Sequence, residues 1–160
     1  MLPEFFKYSP LVIACASWLI AQFIKMMVVL IQERRFDALF FTRSGGMPSA
    51  HSALVCGLAT AVALEDGLLS VTFAISAVLA LVVMYDSAGV RQAVGKQAVT
   101  INRILRTTTS KESENDVNRY STIQHEIKVL LGHTPFQVFW GAALGIGMAF
   151  LWLLMAGYSF

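Results

Sequence analysis

Three histidines occur in this chain of 160 residues, and two of them, His51 and His133, stand where a long apolar run begins. Histidine can serve both as a nucleophile and as a proton donor near neutral pH. Each of the two lies in a turn-forming stretch, Gly45-Gly46-Met47-Pro48-Ser49-Ala50-His51-Ser52 and Gly132-His133-Thr134-Pro135. Glycine lets a backbone turn tightly, proline suits a first helical turn, and Thr134 suits a cap. A helix opening near Gly46 and Ser49, and another at Thr134, would each present unpaired N–H groups to an anion. Lys25, Asp86 and Arg91 are the other ionisable residues set at the ends of apolar runs. An arginine offers phosphate a planar fork of donors. Two histidines, two helix starts and two cations are the parts of a phosphate cradle.

Singly, each part has a bland explanation. A glycine-proline stretch before a helix is usually only a turn, and Lys25 or Arg91 could snorkel to headgroups. Asp86 and Arg91 could be an ion pair closing a helix, and an interfacial histidine is more often structural than catalytic. Function is argued by their arrival together, and that depends on the elements that carry them.

Those elements are long and apolar. Hydrophobic residues make up 56% of the chain and charged residues 14%, against about 25% charged in soluble domains; mean hydropathy is +0.64. The composition predicts an all-α polytopic membrane bundle in a single domain spanning residues 1–160. Four spans are expected: Leu11 to Ile31, Ala50 to Leu64, Leu68 to Met84, and Phe136 to Tyr158. The second is short against the roughly 20 residues of a full span. Gly141, Gly145 and Gly147 of the last run would allow close helix approach. A polar, basic loop is expected over about residues 92–121, and a short amphipathic helix at the interface over Thr122 to Leu131. Cys15 and Cys56 both lie in apolar runs and read as small buried hydrophobes. A net charge of +2 gives no reason to expect nucleic acid.

Lysine and arginine set the orientation. Arg34, Arg35 and Arg43 follow the first span, and Arg91, Lys96, Arg103, Arg106, Lys111 and Arg119 follow the third. The turn between the second and third holds only Glu65 and Asp66. The two basic loops are therefore expected in the cytoplasm and both termini outside, in a multi-pass protein of the cell membrane. On that map Lys25, His51, Asp86, Arg91 and His133 reach one membrane face. Ionisable groups at membrane depth are costly and tend to mark function.

At these residues the sequence resembles a known family. Gly45-Gly46-Met47-Pro48-Ser49-Ala50-His51-Ser52, Asp86-Ser87-Ala88-Gly89-Val90-Arg91 and Leu131-Gly132-His133-Thr134-Pro135 look like signatures of the divergent branch of the type-2 phosphatidic acid phosphatase superfamily. The resemblance runs from about Ala21 to Gly147. It implies in-line phosphoryl transfer through a phosphohistidine, with His133 as nucleophile and His51 protonating the leaving oxygen. Lys25, Arg35 and Arg91 would anchor the phosphate, aided by backbone N–H groups around Gly46 and Ser49. Where the main superfamily has an acidic residue four positions after the nucleophile, this chain has Gln137. That departure points to Asp86 as the source of the missing charge.

The resulting expectation is a lipid phosphatase acting on a phosphomonoester or pyrophosphate of a lipid headgroup at the cytoplasmic face, with no cofactor and no metal. Its partners would be the phosphorylated lipid, the surrounding membrane lipids and, on a slight preference, a second copy of itself. Two other readings stand beside it. One is a lipid or anion carrier without catalysis. The other is a metal-dependent hydrolase drawing on His51, Asp86, His133 and His125 or Glu126, whose spacing matches no familiar ligand motif.

Overall fold

The computed structural model describes residues 9–33, 46–111 and 132–155. All of the regular structure among them is helical. Helix α1 is Pro10–Glu33, α2 is Ala50–Asp66, α3 is Val71–Tyr85, α4 is Arg91–Lys111 and α5 is Pro135–Met155. A π-helical turn, Asp86–Val90, joins α3 to α4, so the two form one continuous rod. Three helical stretches are long and apolar enough to cross a membrane: Pro10–Ile31, Val71–Ile104 and Pro135–Met155. Helix α2 has 17 residues, about 26 Å at 1.5 Å per residue.

The helix starts follow from local chemistry. Gly46 has φ of +84° and Gly67 +86°, left-handed values that favour glycine. Ser49 caps α2, its hydroxyl accepting from Ser52 N–H at 3.4 Å. Thr134 caps α5, accepting from Gln137 N–H at 3.3 Å, and Pro135 is the first residue of that helix. Pro48 does not lie in the first turn of α2, as its spacing suggested; it precedes the cap.

Short α2 is the hub. It packs against α1, α3 and α5, and its most extensive contact is with α5. The packing uses small residues four apart. Gly141 presses on the Ser49 carbonyl and Gly145 on the Ala53 carbonyl, each so closely that a methyl group would collide with the oxygen. One turn further along the same face, Gly57 meets both neighbours: a methyl group there would lie 2.7 Å from Ser17 Oγ of α1 and 3.5 Å from Gly145 O of α5. Ile13, Ala61 and Ala149 close one layer of this contact, and Ala21, Ala50 and Ala53 another. In a membrane, where lipid is as apolar as leucine, such close backbone approach supplies dispersion contacts that water exclusion cannot. Gly147 differs from the expectation: nothing lies within 4 Å of its would-be Cβ. Cys15 also departs from it, being exposed, whereas Cys56 is buried.

The largest correction concerns residues 92–111. The sequence suggests a solvated loop there, but the chain is helical to Lys111. The polar residues masked a stripe at helical spacing, Val90, Val94, Ala98 and Ile101, which propagates the α3 helix beyond the π turn. The rest of that loop, to residue 121, and the interfacial helix expected over Thr122 to Leu131 lie outside the described residues.

Candidate active site

The site forms where the end of α1, the start of α2, the π turn and the start of α5 meet. Lys25 is one turn after the buried Gln22 on α1, and only 9% of it is exposed. Its aliphatic stem runs past Gly46, where an added Cβ would lie 3.8 Å from Lys25 Cδ. The ammonium is thereby carried toward the N-terminal end of α2. A side chain at Gly46 would crowd that stem.

His133 is held by three anchors. Its backbone N–H donates to Ser87 O of the π turn at 3.1 Å. The preceding Gly132 lies on the backbone of Arg91 and Gln92 so tightly that any Cβ would collide with it. Its imidazole Nδ1 faces Gln137 Oε1 at 3.2 Å. The same Oε1 accepts from Thr134 N–H at 3.1 Å, so it is the amide's acceptor atom and Nδ1 must carry the proton. Nε2 is then the nitrogen with the free lone pair. It is buried and has no hydrogen-bond partner among the described residues.

An unpartnered buried polar atom costs about 1–3 kcal/mol and calls for an explanation. The explanation next to it is His51, whose ring stands 6.2 Å from that of His133, centroid to centroid, at 61°. A bare Nε2 with a second imidazole beside it suits an oxygen-rich group. Burial lowers the His133 pKa below the ordinary histidine value. The Gln137 hydrogen bond opposes that, and the charges of Lys25, His51 and Arg91 reinforce it. The imidazole is therefore neutral at physiological pH, the form in which nitrogen attacks an electrophile.

Asp86 and Arg91 are brought to the same end but act on each other. Arg91 Nε donates to Asp86 Oδ2 at 2.7 Å, with 56% and 41% of the two side chains exposed. The π turn makes this possible: Arg91 N–H reaches back five residues to Asp86 O. Asp86 does not touch His133, whose Nδ1 is occupied by Gln137. Its contact is with Arg91, which it positions.

Ser49 also departs from the expected role. Its N–H is taken by Gln137 O at 3.0 Å, and its hydroxyl serves Ser52, accepting from Ser52 Oγ at 3.0 Å as well as from the amide. Pro48 has no N–H. Any anion clamp at this helix start thus rests on the amides of Ala50 and His51 rather than on Ser49. Arg35, His125 and Glu126 lie outside the described residues. Among the described residues no three or more His, Cys, Asp or Glu side chains gather as a metal site would need. Sequence reasoning missed Ser87 and Gln92, because both contribute backbone atoms and nothing in a side chain signals that.

Two neighbouring histidines, one buried and one open, thus stand beside cations at one end of a helical bundle. The chain belongs to the Divergent PAP2 family, whose model matches residues 6–148. It is 39% identical over 146 residues to a Bacillus subtilis (strain 168) protein named uncharacterized membrane protein YuiD, covering 89% of this chain and 92% of that one. No solved structure matches it.

Proposed function

We propose that the protein is a membrane lipid phosphatase that works through a phosphohistidine, with its site at the cytoplasmic face. The observation that carries this reading is the buried His133 imidazole, with Nδ1–H fixed by Gln137, an Nε2 unpartnered among the described residues, and the His51 ring 6.2 Å away. Nε2 attacks phosphorus and the ester P–O bond breaks. A proton on His51 passes to the departing oxygen. Water then attacks the phosphoimidazole with His51 taking its proton, the P–N bond breaks, and inorganic phosphate leaves. Lys25 and Arg91 neutralise the phosphoryl oxygens, so positioning and electrostatics do most of the work. Family membership supports the reaction class.

Helix α2 is taken as a fourth span in this reading. Although short, it is enclosed by α1, α3 and α5, and the arginines of the adjoining sequence support a site on the cytoplasmic side. A site at the end of such a bundle lies at headgroup depth, which favours a phosphorylated lipid over a soluble ester.

Purified protein in detergent, offered phosphatidic acid, phosphatidylglycerol phosphate and an isoprenoid pyrophosphate, should release phosphate from at least one. His133→Ala should release none. Lipid binding without release in the parent protein would select a second reading, a carrier. That reading is favoured by the neutral Gln137 beside the nucleophile.

A further inference from the structure

The rod made of α3, the π turn and α4 is too long for a membrane. Its 41 residues, Val71 to Lys111, extend about 62 Å at 1.5 Å per residue, against a hydrocarbon core of about 30 Å. A tilt of even 40°, the upper end for spanning helices, would leave more than a third of the rod outside. Counting from Val71 along the normal, about 20 residues fill the core, and the border falls at the π turn. Helix α4 therefore begins where the hydrocarbon ends.

That helix is unlike a helix built for water. Val90, Val94, Ile101 and Ile104 are all exposed and, at 100° per residue, fall along one side. The opposite side carries Lys96 and Arg103. Across Arg91–Lys111 the sequence holds five cations and no Asp or Glu. An apolar stripe backed by basic residues is the pattern of a helix lying in the headgroup region of an anionic leaflet. A second copy is a poor occupant, because pairing through the stripe would leave Lys96 and Arg103 facing outward with no counter-charge, whereas an anionic surface supplies one. A π turn is a place where helices commonly bend, and it sits at the border where a spanning rod would have to turn onto the surface.

We infer that α4 is a lipid-docking helix, whose Val94 and Ile101 side enters an anionic membrane surface while Lys96 and Arg103 engage the headgroups. This goes beyond the phosphatase reading and does not depend on it. The electrostatic part scales with the number of cations, each strengthening attachment to an anionic surface by about fivefold.

The test uses the full chain with Cys15 and Cys56 replaced by alanine, reconstituted in nanodiscs of neutral phosphatidylcholine or of the same lipid with one third phosphatidylglycerol. Spin labels are placed singly at Val94→Cys, Ile101→Cys and Val99→Cys, the last on the basic side. In anionic discs the labels at 94 and 101 should be reached by oxygen and shielded from a water-soluble nickel chelate, with the reverse at 99. Adding K96Q and R103Q should lower the ratio of lipid-buried to water-exposed label about 25-fold. Equal nickel access on both sides in anionic discs would overturn the proposal. So would dipolar coupling between labels of two copies, which would mean a second copy covers the stripe. Labels shielded identically in neutral and anionic discs, and unmoved by K96Q and R103Q, would also refute it and assign the stripe to another part of the chain.

Discussion

Replacing Gln137 by glutamate places a carboxylate where the neutral amide now accepts from His133 Nδ1 at 3.2 Å. When Nε2 accepts a phosphoryl group with Nδ1 still protonated, the ring becomes a cation, and among the described residues of the parent protein no negative side chain hydrogen-bonds to it. At 3.2 Å two opposite charges attract by about 5 kcal/mol at an effective dielectric of about 20. Burying the new carboxylate costs several kcal/mol of hydration, which leaves a net gain of about 1–3 kcal/mol for the cationic ring. At about 1.4 kcal/mol per factor of ten, the phosphoenzyme should accumulate roughly 10- to 100-fold more in Gln137→Glu. The free imidazole gains the same counter-charge, so its protonation midpoint should move about one to two pH units higher. Histidine-selective NMR in nanodiscs reads that midpoint without any turnover, and alkaline quenching with substrate reads the phosphoenzyme. Gln137→Leu is the control: it removes the acceptor and leaves Nδ1–H buried and unpaired, at a stability cost of about 1–3 kcal/mol. Should His133 titrate at the same pH in the parent and in Gln137→Glu, the placement of Gln137 against Nδ1 is wrong and the tautomer argument goes with it.

Burial and neighbouring cations lower the His133 pKa. Activity should therefore persist below pH 6.5 and fall only as the imidazole protonates, so an acid limb of kcat/KM above 6.5 would contradict the neutral-nucleophile assignment. Gly145→Ala should lower the detergent melting temperature by an amount equivalent to about 1–3 kcal/mol, because its Cβ meets backbone rather than a side chain that can move; Gly147→Ala, in open space, should leave it unchanged. His51→Ala should slow hydrolysis of an alkyl phosphate by about 10²–10⁴ and of an aryl phosphate much less, and equal losses on both substrates would remove His51 from the role of acid. Vanadate or tungstate should inhibit competitively, with Arg91→Ala weakening either, while Asp86→Asn should weaken them partly by freeing the guanidinium; an oxyanion affinity unchanged in Arg91→Ala would end the cradle reading.

The sequence was most informative where polarity changed abruptly. Lys25, His51, Asp86, Arg91 and His133 are each set against an apolar run, so their meeting at one end followed from the alternation of helix directions alone. The cap and start at Thr134 and Pro135 were legible for the same reason, since side chains announce them. Backbone contacts were not. The Ser87 carbonyl that holds His133, and the use of the Ser49 amide by Gln137 O, leave no trace in residue type. Helix α4 was hidden because its composition is that of a loop, and only the spacing of Val90, Val94, Ala98 and Ile101 betrays it. Asp86 was read as a substitute charge for His133 because Gln137 stands where the superfamily has an acid; the π turn, which no local residue pattern predicts, pairs it with Arg91.

The dependence of α2 on α5 carries a consequence for how the protein is made. Helix α2 is short and is packed most extensively against a partner that begins at Pro135, about 70 residues later in the chain. While the ribosome is still producing that partner, Ser49, Ala53 and Gly57 present a notch of small residues with nothing to fill it. The nascent chain can seat α1 against one side of α2, but the side that meets Gly141 and Gly145 must wait for the last helix to enter the bilayer. His51 is in place early, while His133 arrives only with α5. A chain stopped before Pro135 would thus carry one imidazole of the pair on a half-enclosed helix, the kind of surface that membrane quality control is built to find.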